Sequence, residues 1–275
     1  MNDSTTQFPL SILEDAPRFK ESDAFDFQCK PGLGCFNQCC ADVNIALTPY
    51  DVLRLRTGLK ISSTEFLDRY TILPFSAQQK FPVVLLRMQN DERRSCPFVR
   101  PEGCLVYSDR PWACRMYPVG LASPGEETDE PFFFLIEEDP CEGHSSNTRQ
   151  TIREWIRNQG AEKYEFHGED FKQISLHPFF LDGGQLEPSK MNMLVMVLYD
   201  LDKFRRFVFE STFLQKFSID EVTVEEARRE DRALLRLGYR WLRFCLFGED
   251  TVEIRREVRK SVRQKTEVTS KSYSR

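Results

Sequence analysis

Eight of the nine cysteines in this 275-residue chain fall between positions 29 and 141. The first group reads Cys29-x5-Cys35-x3-Cys39-Cys40 and contains Gly32 and Gly34, which allow the backbone to turn tightly around a ligand. The second comprises Cys96, Cys104, Cys114 and Cys141, each beside turn-forming residues. A lone free cysteine is an ordinary small core residue. Four thiols within twelve residues are hard to explain as packing. In a reducing compartment clustered thiols are metal or redox sites, so Cys29, Cys35, Cys39, Cys40, Cys96, Cys104, Cys114 and Cys141 are all candidate metal ligands. Thiolates suit iron-sulfur clusters and zinc alike. Zinc ribbons present C-x2-C knuckles, and no two cysteines here have that spacing. The intervals therefore favour an iron-sulfur cluster over zinc.

Several neighbours bear on the site. His144, three residues after Cys141, offers an imidazole in place of a thiolate, whereas His167 and His177 lack cysteine neighbours and read as surface or hydrogen-bonded core residues. Arg110 and Arg115 bracket Cys114. They could donate to cluster sulfurs, loop carbonyls or an anionic substrate, or form salt bridges with Asp51 or Asp109. Tyr107 and Tyr117 could shield the site. Cys39 and Cys40 are adjacent, and adjacent side chains in an extended segment point to opposite sides, so they are not expected to share one ion.

The segment Cys29 to Cys40, Leu47-Thr48-Pro49-Tyr50-Asp51, Cys96-Pro97-Phe98, Cys104-Leu105-Val106-Tyr107 and Arg110-Pro111-Trp112-Ala113-Cys114-Arg115-Met116-Tyr117-Pro118 together resemble the YkgJ-like cysteine-cluster family. The resemblance spans roughly Phe27 to Gly160, including Cys141-Glu142-Gly143. It implies a zinc- or iron-chelating domain, similar to one in flagellin lysine N-methylase, and so metal binding without a settled reaction; an enzyme reading has the cluster transfer electrons or, as the resemblance permits, support methyl transfer. Five residues between Cys29 and Cys35 imply a longer first loop than the family's tightest spacing. A zinc-stabilised protein-interaction module without catalysis is the competing reading, and no catalytic residue is assigned.

The elements that must position these thiols are short. Thr48-Pro49-Tyr50-Asp51 predicts a capped helix from Pro49 to Thr57 stopped by Gly58, and Ser62 with Glu65 predicts a second. Val43–Leu47, Phe81–Met88 and Pro131–Ile136 read as short strands, the last two pairing beneath the site. Ala122 to Glu130 reads as an exposed loop. Beyond Thr148 the period becomes helical. Thr151 to Asn158 is expected to stop near Gly160, a long helix to run from Lys190 to Phe209, and another to open at Thr223 and keep an apolar face to Gly248, with Cys245 as core packing.

The fold class expected is α+β, with an irregular metal-stabilised domain at 20–160 containing a small sheet, a mainly α-helical region at 161–250, and a basic tail at 251–275. That tail holds eight Lys/Arg against three Glu, +5 against −10 for the remainder, and a solvated terminus explains it better than nucleic-acid binding. A hydrophobic fraction of 40% supplies a core without disulfides. No signal-like start and no apolar run of about 18 residues is present, so a cytoplasmic protein without a membrane partner is expected. Its partner would be an unidentified protein or small molecule. No nucleotide-binding glycine fingerprint or phosphate loop is found.

Overall fold

The computed structural model describes residues 16–74, 81–122, 130–138 and 141–258. Its elements run β1 (Ala24–Asp26), β2 (Ala46–Leu47), α1 (Pro49–Leu59), α2 (Ser63–Tyr70), β3 (Thr71–Ile72), β4 (Val84–Leu86), β5 (Val99–Arg100), β6 (Gly103–Cys104), α3 (Trp112–Met116), β7 (Val119–Ala122), β8 (Phe132–Leu135), β9 (Arg149–Thr151) and α4 (Ile152–Asn158). The chain continues through α5 (Glu162–Ser175), α6 (Pro178–Leu181), α7 (Pro188–Tyr199), α8 (Leu201–Glu210), α9 (Phe213–Lys216), β10 (Phe217–Ser218), α10 (Glu221–Arg229), α11 (Asp231–Phe247) and β11 (Glu253–Ile254). The fold is α+β. Among the described residues, no helix is long and apolar enough to cross a membrane.

Of the described residues, those within Met1–Ile61, Asp68–Pro74 and Val83–Gly168 form one compact unit, and those within Ser62–Leu67, Phe75–Pro82 and Glu169–Arg275 form a second. The first contains all eight clustered cysteines. Its sheets are small and antiparallel: β2-β4-β3, and the pairs β1-β9, β5-β6 and β7-β8. The expected pairing of the 81–88 and 131–136 strands is not found. Val84–Leu86 instead takes Ala46–Leu47 and Thr71–Ile72 as partners, and Phe132–Leu135 pairs with Val119–Ala122 just upstream. A local hairpin closes more cheaply than a long-range ladder. The core beneath these strands joins Phe25, Phe27, Met116, Val119, Ile152, Trp155, Ile156 and Ala161, with Tyr117 and Cys141 packed against it. Each fully buried large apolar side chain contributes about 1.5–3 kcal/mol.

Helix α1 begins as expected. The Thr48 hydroxyl accepts the Asp51 N–H, and the Asp51 carboxylate accepts the Thr48 N–H. It does not stop at Gly58, which lies within the last turn, but at Lys60 in the left-handed region at φ 57°.

In the second unit, α11 carries buried Leu234, Leu237, Trp241 and Leu242, while α7 and α8 bury Leu194, Val197, Leu198, Leu201, Phe204 and Val208. Gly238 permits the close approach: a Cβ there would lie 2.6 Å from Val197 Cγ1. The long helix expected from Lys190 to Phe209 is broken at Asp200, whose φ of −103° and ψ of 71° lie outside the helical region. Its carboxylate accepts the Lys203 N–H and the Ser63 and Thr64 hydroxyls. The apolar stripe runs on across the break, so its periodicity could not reveal it. The helix expected to run from Thr223 to Gly248 starts earlier, at Glu221, because Asp220 supplies the cap to the Thr223 N–H, and it is two helices, α10 and α11, broken at Glu230, whose φ of −121° and ψ of 126° are extended. Residues 123–129 of the expected loop and 259–275 of the basic tail lie outside the described residues.

Candidate metal centre

The cysteine loop from 29 to 40 is a succession of turns, not an extended segment. Gln38 N–H donates to Cys35 O at 2.9 Å, Cys40 N–H donates to Asn37 O at 3.2 Å, and Asn37 adopts φ 67°. The premise that Cys39 and Cys40 point to opposite sides therefore fails. Their side chains are hydrogen-bonded to each other. Cys40 donates and is held protonated, while the bond it gives lowers Cys39 to about 7.

Backbone contacts bring distant thiols to this loop. On one side Gln28 N–H donates to Gly143 O at 3.1 Å and Glu142 N–H donates to the Cys35 sulfur at 3.3 Å. The Glu142 carboxylate accepts the Gly34 N–H at 2.9 Å, and a Cβ on Gly34 would sit 2.6 Å from Glu142 Oε1, so glycine is what this approach admits. Burial pushes the Cys29 thiol up, and the neighbouring charges of Cys39, Cys35 and Cys141 push it further.

On the other side Cys96 N–H donates to Cys40 O at 2.8 Å, and Ala41 bridges Ser95. The β5-β6 hairpin then sets Val99 opposite Cys104. Cys114 follows on α3, whose first N–H, that of Trp112, donates to the buried Asp51 carboxylate at 2.8 Å. Burial raises Cys114 to about 12, helped by Cys96, Asp51 and Cys104. The residue keeps a solvent-facing edge while protein is packed densely around it. Burial also raises Cys96 and Cys104, with Arg100 near both and Arg110 near Cys104 opposing the rise.

Of the roles open to the two arginines, the structure shows bonds to loop carbonyls. Arg115 is buried and donates to the carbonyls of Arg110, Gln159 and Ser108 at 3.0, 2.6 and 2.6 Å and to the Tyr164 hydroxyl at 3.1 Å. Arg110 donates to Tyr107 O at 2.7 Å and to the Gln159 side chain, and its guanidinium covers the Tyr107 ring. Asp109 pairs with Arg54. His144 is engaged too: its Nε2–H donates to Ile136 O at 3.1 Å and its ring meets Phe27 edge-on. His167 lies against Tyr50, and His177 caps α6 by accepting the Phe179 N–H. Cys245 is half-buried on α11 in the second unit, and burial raises its thiol to about 11.

Sequence reading missed the Glu142 clamp, whose only signal was its position after Cys141. Tyr107 is exposed and shields little. Tyr117 is different. Its hydroxyl is buried without an acceptor of good geometry, yet it lies close enough to Cys141 and Cys39 for their charges to hold it protonated, on top of the rise that burial itself causes. A phenol O–H left over beside thiols is a donor suited to metal-held thiolate, because a buried polar group is costly until it is paired. Among the described residues no three Cys, His, Asp or Glu side chains are gathered at the spacing a single ion requires. The thiols are neighbours acting on one another. Their number, their purely sulfur chemistry and the orphaned phenol fit a thiolate-held metal.

Comparison with curated proteins and with solved structures gave no match. Residues 28–152 match the CxxCxxCC family, described as "Putative zinc- or iron-chelating domain". This stretch contains all eight clustered cysteines, with the Glu142 clamp and the Tyr117 hydroxyl among them, and it is the part of the chain that is similar to that zinc- or iron-chelating family.

Proposed function

We propose that residues 28–152 hold an iron-sulfur centre on cysteine thiolates and serve a redox reaction. The supporting observation is the donor set. Eight thiols come from separate loops without a C-x2-C knuckle, and His144, the nearest imidazole in sequence, is committed to Ile136. Such a centre supplies one-electron transfer when bound. The surrounding residues fix the loops: Glu142 ties Gly34 and Cys35 to the 141–145 turn, Arg115 gathers three carbonyls, and Tyr117 supplies a hydrogen-bond donor. The methyl-transfer use rests on the family resemblance, whereas the donor set supports redox chemistry directly.

A zinc-stabilised interaction module is the second reading, favoured by one observation: the sheets of the cysteine unit are ladders of two to four residues, which leaves a structural ion much to hold together. Anaerobic purification followed by metal and acid-labile sulfide analysis separates the two. Brown protein with iron and sulfide is expected. Colourless protein with stoichiometric zinc and no sulfide would overturn the iron-sulfur reading.

A further inference from the structure

We propose that the eight cysteines form two centres, Cys29, Cys35, Cys39 and Cys141 at one and Cys40, Cys96, Cys104 and Cys114 at the other, adjoining at the Cys39–Cys40 peptide. This rests on the reading that these cysteines hold metal, and not on which metal it is.

One ordinary four-cysteine cluster or one tetrahedral zinc uses four thiols, so eight require either a second centre or four bystanders. Backbone pairing sorts them. Cys29, Cys35 and Cys141 are drawn together by three bonds between the segments 28–35 and 142–143: Gln28 to Gly143, Glu142 to Cys35 and Gly34 to Glu142. Cys40, Cys96 and Cys104 are drawn together by a different ladder. In it Cys96 donates to Cys40, Asp42 N–H donates to Arg94 O at 3.0 Å, and the hairpin ladder continues with Leu105 N–H to Phe98 O at 2.9 Å.

The remaining two cysteines join these groups by proximity. Cys39 touches both groups, being hydrogen-bonded to Cys40 and a neighbour of Cys29 and of Tyr117, the residue whose hydroxyl approaches Cys141, and it completes the first group because Cys114 completes the second. Cys114 is a neighbour of Cys40, Cys96 and Cys104. The link between the sets is the Cys39–Cys40 contact itself, where the chain leaves one ladder and enters the other. The settings also differ in charge. Glu138 lies near Cys39 and Glu142 beside Cys35, whereas Arg100 and Arg110 lie near Cys104. Four bystander thiols would not need a ladder and a charge setting of their own.

The test is thiol footprinting of the full-length protein purified anaerobically with its metal, using iodoacetamide and peptide mass spectrometry, with the chelator-stripped protein as baseline. All eight cysteines should gain protection on metal binding while Cys245 reacts equally in both forms. Four of the eight alkylating freely in fully loaded protein would overturn the proposal. Cys104→Ser should then halve the metal per chain and expose Cys40, Cys96 and Cys114 while Cys29, Cys35, Cys39 and Cys141 stay protected. Loss of all metal from a folded Cys104→Ser variant would equally overturn it. Should that variant fail to fold, Cys29→Ser reads the same partition from the other side: Cys35, Cys39 and Cys141 should become exposed while Cys40, Cys96, Cys104 and Cys114 stay protected, and exposure of the second set would overturn the proposal. Zinc with eight protected thiols would defeat the iron-sulfur reading and leave two centres standing, whereas iron and sulfide with four protected thiols would do the reverse.

Discussion

The two units solve the same problem with different means. The helical unit is built on Trp241, which packs against Phe204, Phe207, Phe213 and Phe217, and on the Leu-rich stripes of α7, α8 and α11. The cysteine unit adds to its apolar core short ladders and side chains spent on backbone groups, with Arg115 satisfying three carbonyls and Asp51 serving two chain segments. One region is held by area removed from water, which any apolar side chain of the right size can supply. The other relies in addition on directed bonds, which only certain atoms can make, and it gathers eight thiols in its loops.

Metal removal should break the comparison most visibly. Structural metal sites contribute on the order of 10 kcal/mol to folding, so chelation under anaerobic conditions should accelerate hydrogen exchange across residues 28–152, the Cys96 N–H included. The amides of Asp231–Phe247 should keep their protection. A uniform response in both units would erase the distinction. Leu198→Ala probes the other side. Leu198 is fully buried, and its truncation should cost about 2–5 kcal/mol in chemical denaturation followed by helical circular dichroism, with metal per chain unchanged.

The smallest effect concerns pH. Burial works to raise the pKa of Asp200, but the Lys203 ammonium at 2.7 Å and the Ser63 and Thr64 hydroxyls outweigh it and hold the carboxyl below its usual value. Because the folded value is depressed, the stabilisation is complete above the ordinary carboxylate pKa of about 3.9 and is lost as pH falls through the folded value. Asp200→Asn should flatten that acid limb in a thermal-melt series of the helical signal. The cysteine unit should respond at higher pH, where protons begin to compete with metal for thiolates.

What the sequence reveals follows the same divide. The cap at Thr48 was legible because a capping box lies within four residues, and the apolar period of α11 was legible to Gly248. The break at Asp200 was not, since its cause includes Ser63 and Thr64, some 136 residues away. The strand pairings were not, since runs this short carry no register. At the site, residue identities were readable and their grouping was not. Cysteine spacing along the chain does not reveal that Cys40 meets Cys96 through the backbone or that Glu142 reaches back to Gly34. Adjacent thiols such as Cys39 and Cys40 diverge only in extended chain, and turns run through this stretch.

Asp51 carries a consequence for how this domain can drift in evolution. One buried carboxylate closes the cap of α1 through Thr48 and also anchors the N–H that starts the helix bearing Cys114. Positions 48 and 51 are therefore not free to explore the other caps that helix starts ordinarily tolerate. Serine or threonine at 51 cannot present two acceptor oxygens to both neighbours, and asparagine keeps only one. Among relatives, substitution at 51 should arrive together with changes at 48 and in the 110–112 turn. A lineage that loses this acid should show the helix that carries Cys114 entered by a different route.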